Sequence, residues 1–263
     1  MMKIVVIGAG GFVGSAIVNY LKSINIAVES VHRTNFKQSD NLYDICIDAS
    51  GSSKKFIAEE NPAVDLVNSV VNCSKVLKYY PSKLHILISS VDIYKKLDDP
   101  ITTNEDNLEN IPAVTRYGYH KFITEQYVKT YSTNWLIFRL SGMIGDGLKK
   151  NPIFDLITGN TFWISPKSEF QYINTESVSK IIWEVINKGI CNEIFNIAGK
   201  GTISFEQLAI DYGLTIKEST GNIQSSSPRI LEVSTEKISR IIQMPYTIEE
   251  LDKFIRNNFK LWG

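Results

Sequence analysis

Two kinds of hydrophobic pattern alternate along the chain. Short, nearly continuous apolar runs, "KIVVIG", "IAVESVH", "YDICIDA", "LHILISS" and "WLIFRL", are rich in β-branched residues and closed by turn formers, so each predicts a buried strand. Between them lie longer segments whose apolar positions recur at helical spacing. That order predicts an α/β protein with a doubly wound, mostly parallel Rossmann-type sheet and helices on both faces. After Leu140 the pattern loosens: "SGMIGDGLKKNPIF" reads as loop, "TESVSKIIWEVINK" as helix and "EIFNIA" as strand, with further helices near 204–212, 234–242 and 246–258. The expected division is a sheet domain at 1–148, to which 175–200 return, and a small C-terminal lobe made of 149–174 and 201–263.

Composition narrows the partners. The 28 basic residues balance the 28 acidic ones, and no long basic run occurs. Neither a nucleic-acid groove nor an anionic membrane surface is expected. No stretch of eighteen apolar residues occurs, and the opening "MMKIVVIGAG" is too short in its apolar run for a signal peptide, so a cytoplasmic protein without a membrane span is expected. Cys46, Cys73 and Cys191 lie far apart inside apolar runs and read as small buried hydrophobes; no metal is expected.

The chemistry begins at "KIVVIGAGGFVGSAIVNYL", where Gly8, Gly10, Gly11 and Gly14 fall between a strand and an amphipathic helix. Glycines suit a sharp turn in which a pyrophosphate approaches backbone N–H groups at the helix N-terminus. A lone glycine pattern is weak evidence, but this one follows the first strand and precedes a second at the right distance. The second strand ends in His32 and Arg33, where an NAD-binding protein carries an acid for the ribose 2′-hydroxyl. A guanidinium can instead hold a 2′-phosphate, which favours NADP over NAD.

Ser89, Ser90 and Asp92 stand at the carboxyl end of a central strand, the edge where open α/β sheets bind ligands. On "TRYGYHKFITEQYVKTY", read as a helix, Tyr117 and Lys121 share a face, whereas Tyr119 lies about 200° round from Tyr117. Tyr119 and His120 are expected to be bystanders. Spacing alone is a poor guide: chance supplies about one Tyr-x-x-x-Lys pair in this composition, and two occur. The other, Tyr79 and Lys83, has Pro81 between its members, which breaks a helix. An ammonium near a tyrosine stabilises the phenolate, so Tyr117 could exchange a proton with a substrate oxygen while a serine hydroxyl holds it.

With these residues in place the chain resembles the extended short-chain dehydrogenase/reductases, in particular the NAD-dependent epimerase/dehydratase family that acts on nucleotide sugars. "GAGGFVG" is similar to the family's glycine motif, "SSVDIY" to its strand end and "RYGYHKFITEQYV" to its Tyr-Gly-x-x-Lys helix. "ITTNEDNLENIPAVTRYG" resembles the stretch leading into the tyrosine, "WLIFRLSGMIGDG" the strand and loop around the nicotinamide, and "FQYINTESVSKIIWEVI" the segment returning to the substrate. The resemblance spans essentially the whole chain. It implies Ser90, Tyr117 and Lys121 as catalytic residues. The cofactor would lie on Gly8, Gly11, Phe12, Val13, Gly14, His32, Arg33, Ala49, Ser50, Ser89, Tyr117, Lys121, Ser141 and Met143. Ser90, Asp92, Tyr117 and Arg229 would meet the substrate, in a lobe closed by "NIAGKGTISFEQLA" and "EVSTEKISRIIQMPYTIEEL". It also implies a homodimer through the Tyr117 helix and the helix before "LHILISS".

There are departures. Only about ten residues separate "SVHR" from "YDICIDAS", too few for the usual extra helix and strand, so one sheet edge is cut down. The acid expected at the adenine is not identifiable. Val91 and Asp92 stand where the family's 4,6-dehydratases carry an acid at one or both places; Asp92 serves either as a base or as a loop cap. The reading that results is NADP(H)-dependent reduction of a 4-keto nucleotide sugar of the 4-keto-6-deoxy type. The alternatives are a nucleotide-sugar 4-epimerase using bound NAD and a non-catalytic NADP-binding redox sensor.

Overall fold

A computed structural model describes residues 2–53, 55–112, 115–218 and 227–262. Ala113 and Val114, in the stretch leading to the tyrosine, and residues 219–226 of the expected C-terminal lobe lie outside the described residues. All five apolar runs before Leu140 form strands. In chain order the elements are β1 (Ile4–Ile7), α1 (Phe12–Ser23), β2 (Val28–Val31), β3 (Tyr43–Asp48), α2 (Lys55–Glu60), α3 (Pro62–Leu66), a π-helical turn (Val67–Val71), α4 (Asn72–Tyr79), β4 (Ser82–Ser90), α5 (Arg116–Tyr131) and β5 (Trp135–Leu140). There follow β6 (Gly142–Ile144), α6 (Pro152–Thr158), β7 (Thr161–Phe162), β8 (Glu169–Phe170), β9 (Tyr172–Asn174), α7 (Thr175–Asn187), β10 (Glu193–Ile197), β11 (Ile203–Ser204), α8 (Phe205–Tyr212), β12 (Lys217–Glu218), β13 (Ile230–Leu231), α9 (Glu236–Ser239) and α10 (Thr247–Trp262).

Six strands form one parallel sheet in the order β10-β5-β4-β3-β1-β2. The sheet edge is cut down as the short β2–β3 connection implied: β3 passes directly to the far side of β1, and β2 is left as the edge. One core lies between the sheet and α1 with α7, built on Ile17, Leu21, Ile86, Phe138, Val178 and Ile182. The opposite face packs beneath α4 and α5 through Cys73, Val76, Leu87, Val128 and Ile137. A separate cluster around Tyr172, Phe205, Leu208 and Phe254 holds the C-terminal elements together.

Three expectations change. The stretch from Ser141 is not all loop: β6 pairs in parallel with β9, and Asn151 caps α6, accepting from the Phe154 N–H at 2.8 Å before Pro152. The helix expected at 234–242 is only Glu236–Ser239. Cys46 and Cys73 are buried as expected, but Cys191 is exposed. Tyr79 and Lys83 fall on different elements, α4 and β4, which disposes of that pair. Among the described residues no helix is long and apolar enough to cross a membrane.

Candidate active site

The β1–α1 turn depends on glycine at two places. Gly8 has φ +78°, and a side-chain carbon there would stand 2.7 Å from the Ala49 carbonyl oxygen. One at Gly14 would fall onto the Gly8 carbonyl oxygen, so α1 could not seat against the turn. Gly11 occupies the N-cap without a side chain to satisfy the first N–H groups of α1. That leaves an electropositive helix end facing a cleft of about 840 Å³, a size suited to a small-molecule ligand.

Across the cleft, β4 and α5 present the polar groups. Thr115 caps α5 by accepting the Gly118 N–H at 3.2 Å, and the helix is unbroken from Arg116 to Tyr131. Its buried stripe, Tyr117, Lys121, Thr124, Glu125 and Val128, is mostly polar, so the chemical groups occupy the face that an ordinary helix fills with apolar side chains. Ser90, Tyr117 and Lys121 all line the cleft, and all are buried. The Ser90 hydroxyl donates to Asp92 Oδ2 at 2.8 Å, and Lys55 Nζ holds Asp92 Oδ1 at 2.7 Å. Lys121 Nζ lies 5.9 Å from the centre of the Tyr117 ring and donates to the Ile88 carbonyl at 3.5 Å.

The electrostatics reverse one expectation. Burial pushes the Tyr117 hydroxyl well above its ordinary pKa; the Asp92 carboxylate adds to the rise and the Ser90 hydroxyl opposes it. Burial likewise pushes the Lys121 ammonium down, against the pull of Asp48 and Asp65. Desolvation therefore outweighs any stabilisation of the phenolate, and Tyr117 carries its proton at neutral pH.

Beneath this surface lies a polar row that was not anticipated. Ser89 of β4, Arg139 of β5 and Asn196 of β10 are register partners across three adjacent strands. Glu125 of α5 closes on that row: it accepts from Ser89 Oγ at 2.6 Å and from Arg139 at 2.8 to 3.3 Å, with both charged side chains essentially inaccessible. Arg139 also donates to the Tyr94 hydroxyl at 2.8 Å, which donates to Asn196 Oδ1 at 2.9 Å. The Asn196 N–H reaches Glu105 at 2.7 Å. Burial works against the Arg139 charge, but Glu125 more than offsets it and the guanidinium stays protonated.

The remaining expected residues divide. Gly11, Phe12, Val13, Ala49, Ser50, Asp92, Ser141 and Met143 line the cleft. Ser89 also borders it, but its hydroxyl is committed to Glu125. Gly8 and Gly14 act behind the wall, by shaping the turn. His32 and Arg33 are exposed and lie outside the lining, with the His32 ring beside Gly10. Arg229 is exposed and off the cleft, its main chain bonded to Ser168 and Glu169. Of the two expected bystanders, Tyr119 is exposed, whereas His120 is buried with Nδ1 2.8 Å from Asp65 Oδ2. Asp48 is buried at the end of β3, behind Ala49 and Ser50, and is not among the lining residues. Glu125 carried a legible signal, four residues after Lys121, as did Arg139, a lone charge in an apolar strand.

Solved structures share this fold over nearly their whole length. The UDP-glucose 4-epimerase of the hyperthermophile Thermotoga maritima, solved with UDP-glucose, superposes with a TM-score of 0.77 at 16% identity, covering 100% of both chains. The fold is that of the nucleotide-sugar epimerases and reductases. The dTDP-4-dehydrorhamnose reductase of Bacillus anthracis, in complex with NADP, gives a TM-score of 0.77 at 16% identity over 98% of this chain and 99% of its own. MoeE5 with UDP-glucose and NAD gives 0.81 at 13% identity over 99% and 100%. No protein-family model and no curated protein sequence matches the chain.

A buried charge left without its partner is costly, by about 3–5 kcal/mol. Arg139→Leu is therefore expected to destabilise the protein by an amount of that order, and the Glu125→Leu/Arg139→Leu double variant by less. Urea midpoints at unchanged slope provide the measurement. A double variant weaker than either single one would contradict the pairing.

Proposed function

We propose that this chain is an extended short-chain dehydrogenase/reductase that reduces a 4-keto nucleotide sugar, of the 4-keto-6-deoxy type, with NADPH. The observation that carries the reading is the convergence of Ser90, Tyr117 and Lys121 on one cleft whose other wall is the glycine turn of β1 and α1. That wall suits a cofactor: Gly8 and Gly14 allow a tight turn, and no side chain caps the α1 N-terminus that faces the cleft. Gly11, Phe12, Val13, Ala49, Ser50, Ser141 and Met143 would hold it, and a bound dihydronicotinamide would supply hydride. The protein's own part is the proton. Ser90 would hold the substrate carbonyl oxygen, and the buried, protonated Tyr117 would donate to that oxygen as charge develops on it. Lys121 would then offset the phenolate that remains.

The substrate wall supports an anionic ligand. Lys55, Lys149 and Lys150 line the cleft, in keeping with a diphosphate, a role that the exposed Arg229 is not placed to fill. Ser90 gives its one hydroxyl proton to Asp92 here, so a substrate oxygen would have to compete for it. The placing of Arg33 outside the cleft favours a second reading, a nucleotide-sugar 4-epimerase using NAD. Cofactor preference separates the two. We also propose a cytoplasmic homodimer: Val64, Val67 and Val71, on the helical stretch packed against α5, are exposed together with Tyr119 and Tyr131.

A panel of 4-keto nucleotide sugars assayed with NADPH and NADH, with product configuration read by NMR, tests the reaction directly. Tyr117→Phe should lower turnover by about two orders of magnitude or more while NADPH affinity is nearly kept; undiminished turnover would remove Tyr117 from the mechanism. Arg33→Ala should weaken NADP far more than NAD in binding titrations, and equal losses would show that Arg33 does not read the phosphate. Val67→Asp should turn a dimer into a monomer in sedimentation velocity runs, whereas a wild type that sediments as a monomer defeats the dimer.

A further inference from the structure

His85 of β4 is 2% exposed, and both of its ring nitrogens lack a hydrogen-bond partner. An imidazole in that position has lost its water and gained nothing in return, which calls for an explanation. Cys73 of α4 and Asp48 of β3, both equally buried, stand beside it. One donor atom from each of the three side chains lies within 4.8 Å of the other two. Cys46 is also close: it is paired with His85 in the β3–β4 register, and its thiol is near enough to feel Asp48 and Cys73. The Asp48 carboxylate is fixed from behind, because Ser50 donates both its N–H, at 3.0 Å, and its hydroxyl to Oδ1. A supporting bond of that kind orients metal-ligating carboxylates.

We propose that Asp48, Cys73 and His85 form a binding site for a divalent cation of the zinc class, with Cys46, the register partner of His85, as the candidate fourth ligand. A mixed sulfur, nitrogen and oxygen set suits zinc or cobalt; magnesium and calcium prefer oxygen alone. Zinc–ligand bonds of about 2.0 to 2.3 Å bring tetrahedral donors to roughly 3.3–3.8 Å apart, so the three side chains need only draw inward. Charge balances as well. On loading, the Cys73 thiol releases its proton to solvent, and thiolate and carboxylate together neutralise the two positive charges; Cys46 as fourth ligand would release a second proton and leave one net negative charge. The cation would pin α4 to β3 and β4 behind the cleft wall at Ala49 and Ser50. Asp48 and Cys73 also act on Lys121, so loading would change the field at that ammonium.

The test uses the full chain, purified without chelator or metal-affinity resin. About one equivalent of zinc per chain is expected by elemental analysis. After chelation, Co²⁺ added to the protein should give visible d–d bands and a near-ultraviolet thiolate charge-transfer band, and Zn²⁺ should abolish both by displacement. Cys73→Ser should weaken the charge-transfer band, abolishing it if Cys46 does not ligate, and bind Zn²⁺ at least about ten-fold more weakly, as expected for loss of a thiolate ligand. Cys46→Ala reports on the fourth position in the same way. Wild-type protein with neither zinc nor a cobalt spectrum would overturn the proposal whatever the variants do. So would a cobalt spectrum that Cys73→Ser leaves unchanged. None of these readouts uses catalytic activity, so the outcome is independent of the reaction proposed above.

Discussion

The ion pair between Glu125 and Arg139 is the constraint around which the chemical half of the molecule is arranged. Two full charges have been taken out of water, and such a pair is tolerable only if every remaining donor and acceptor is satisfied. Here Ser89, Tyr94 and Asn196 complete the set. The result is a fixed spacing between one helix and three strands. Tyr117 and Lys121 ride on that helix two turns and one turn above Glu125, so their positions relative to Ser90 follow from a salt bridge that never meets the cleft.

Burial explains the state of the two groups that face the cleft. With Tyr117 and Lys121 both buried, the low-dielectric surroundings disfavour phenolate and ammonium alike, and the tyrosine keeps its proton. Such a group holds its proton at neutral pH and gives it up less readily than a free tyrosine, so its release calls for a nearby charge that stabilises the phenolate.

Much of this was legible in the residues, and the failures have physical reasons. Buried parallel strands announce themselves as apolar runs, so every strand before Leu140 stood out. Tyr117 and Lys121 emerged because helix periodicity, a strand-end serine and a glycine turn agreed. The short elements after Leu140 did not emerge: β6 has three residues and owes its existence to β9, thirty positions away. For α6 the local signals were present, Asn151, Pro152 and then Gly159 at φ +65°, but seven residues hold too little pattern to outweigh the surrounding polar and glycine positions. Long-range polar contacts were hidden altogether. Nothing local ties Cys73 to His85 or Asn196 to Glu105. Arg33 and Arg229 stand exposed and outside the lining, in keeping with the fact that sequence places a backbone well and a long flexible side chain poorly.

The adjacent serines Ser89 and Ser90 show how closely structure and chemistry are interleaved. Successive residues of a strand project to opposite sides, so two identical side chains have been given to different tasks: one hydroxyl is sealed onto Glu125, the other opens on Asp92 at the cleft. Their tolerances to replacement should differ accordingly. At position 89 a threonine would keep the donor but crowd a packed row, whereas at position 90 the extra methyl would meet the hollow. Drift in this dipeptide is thus filtered twice, by stability at one residue and by chemistry at its neighbour, although nothing in the letters distinguishes them.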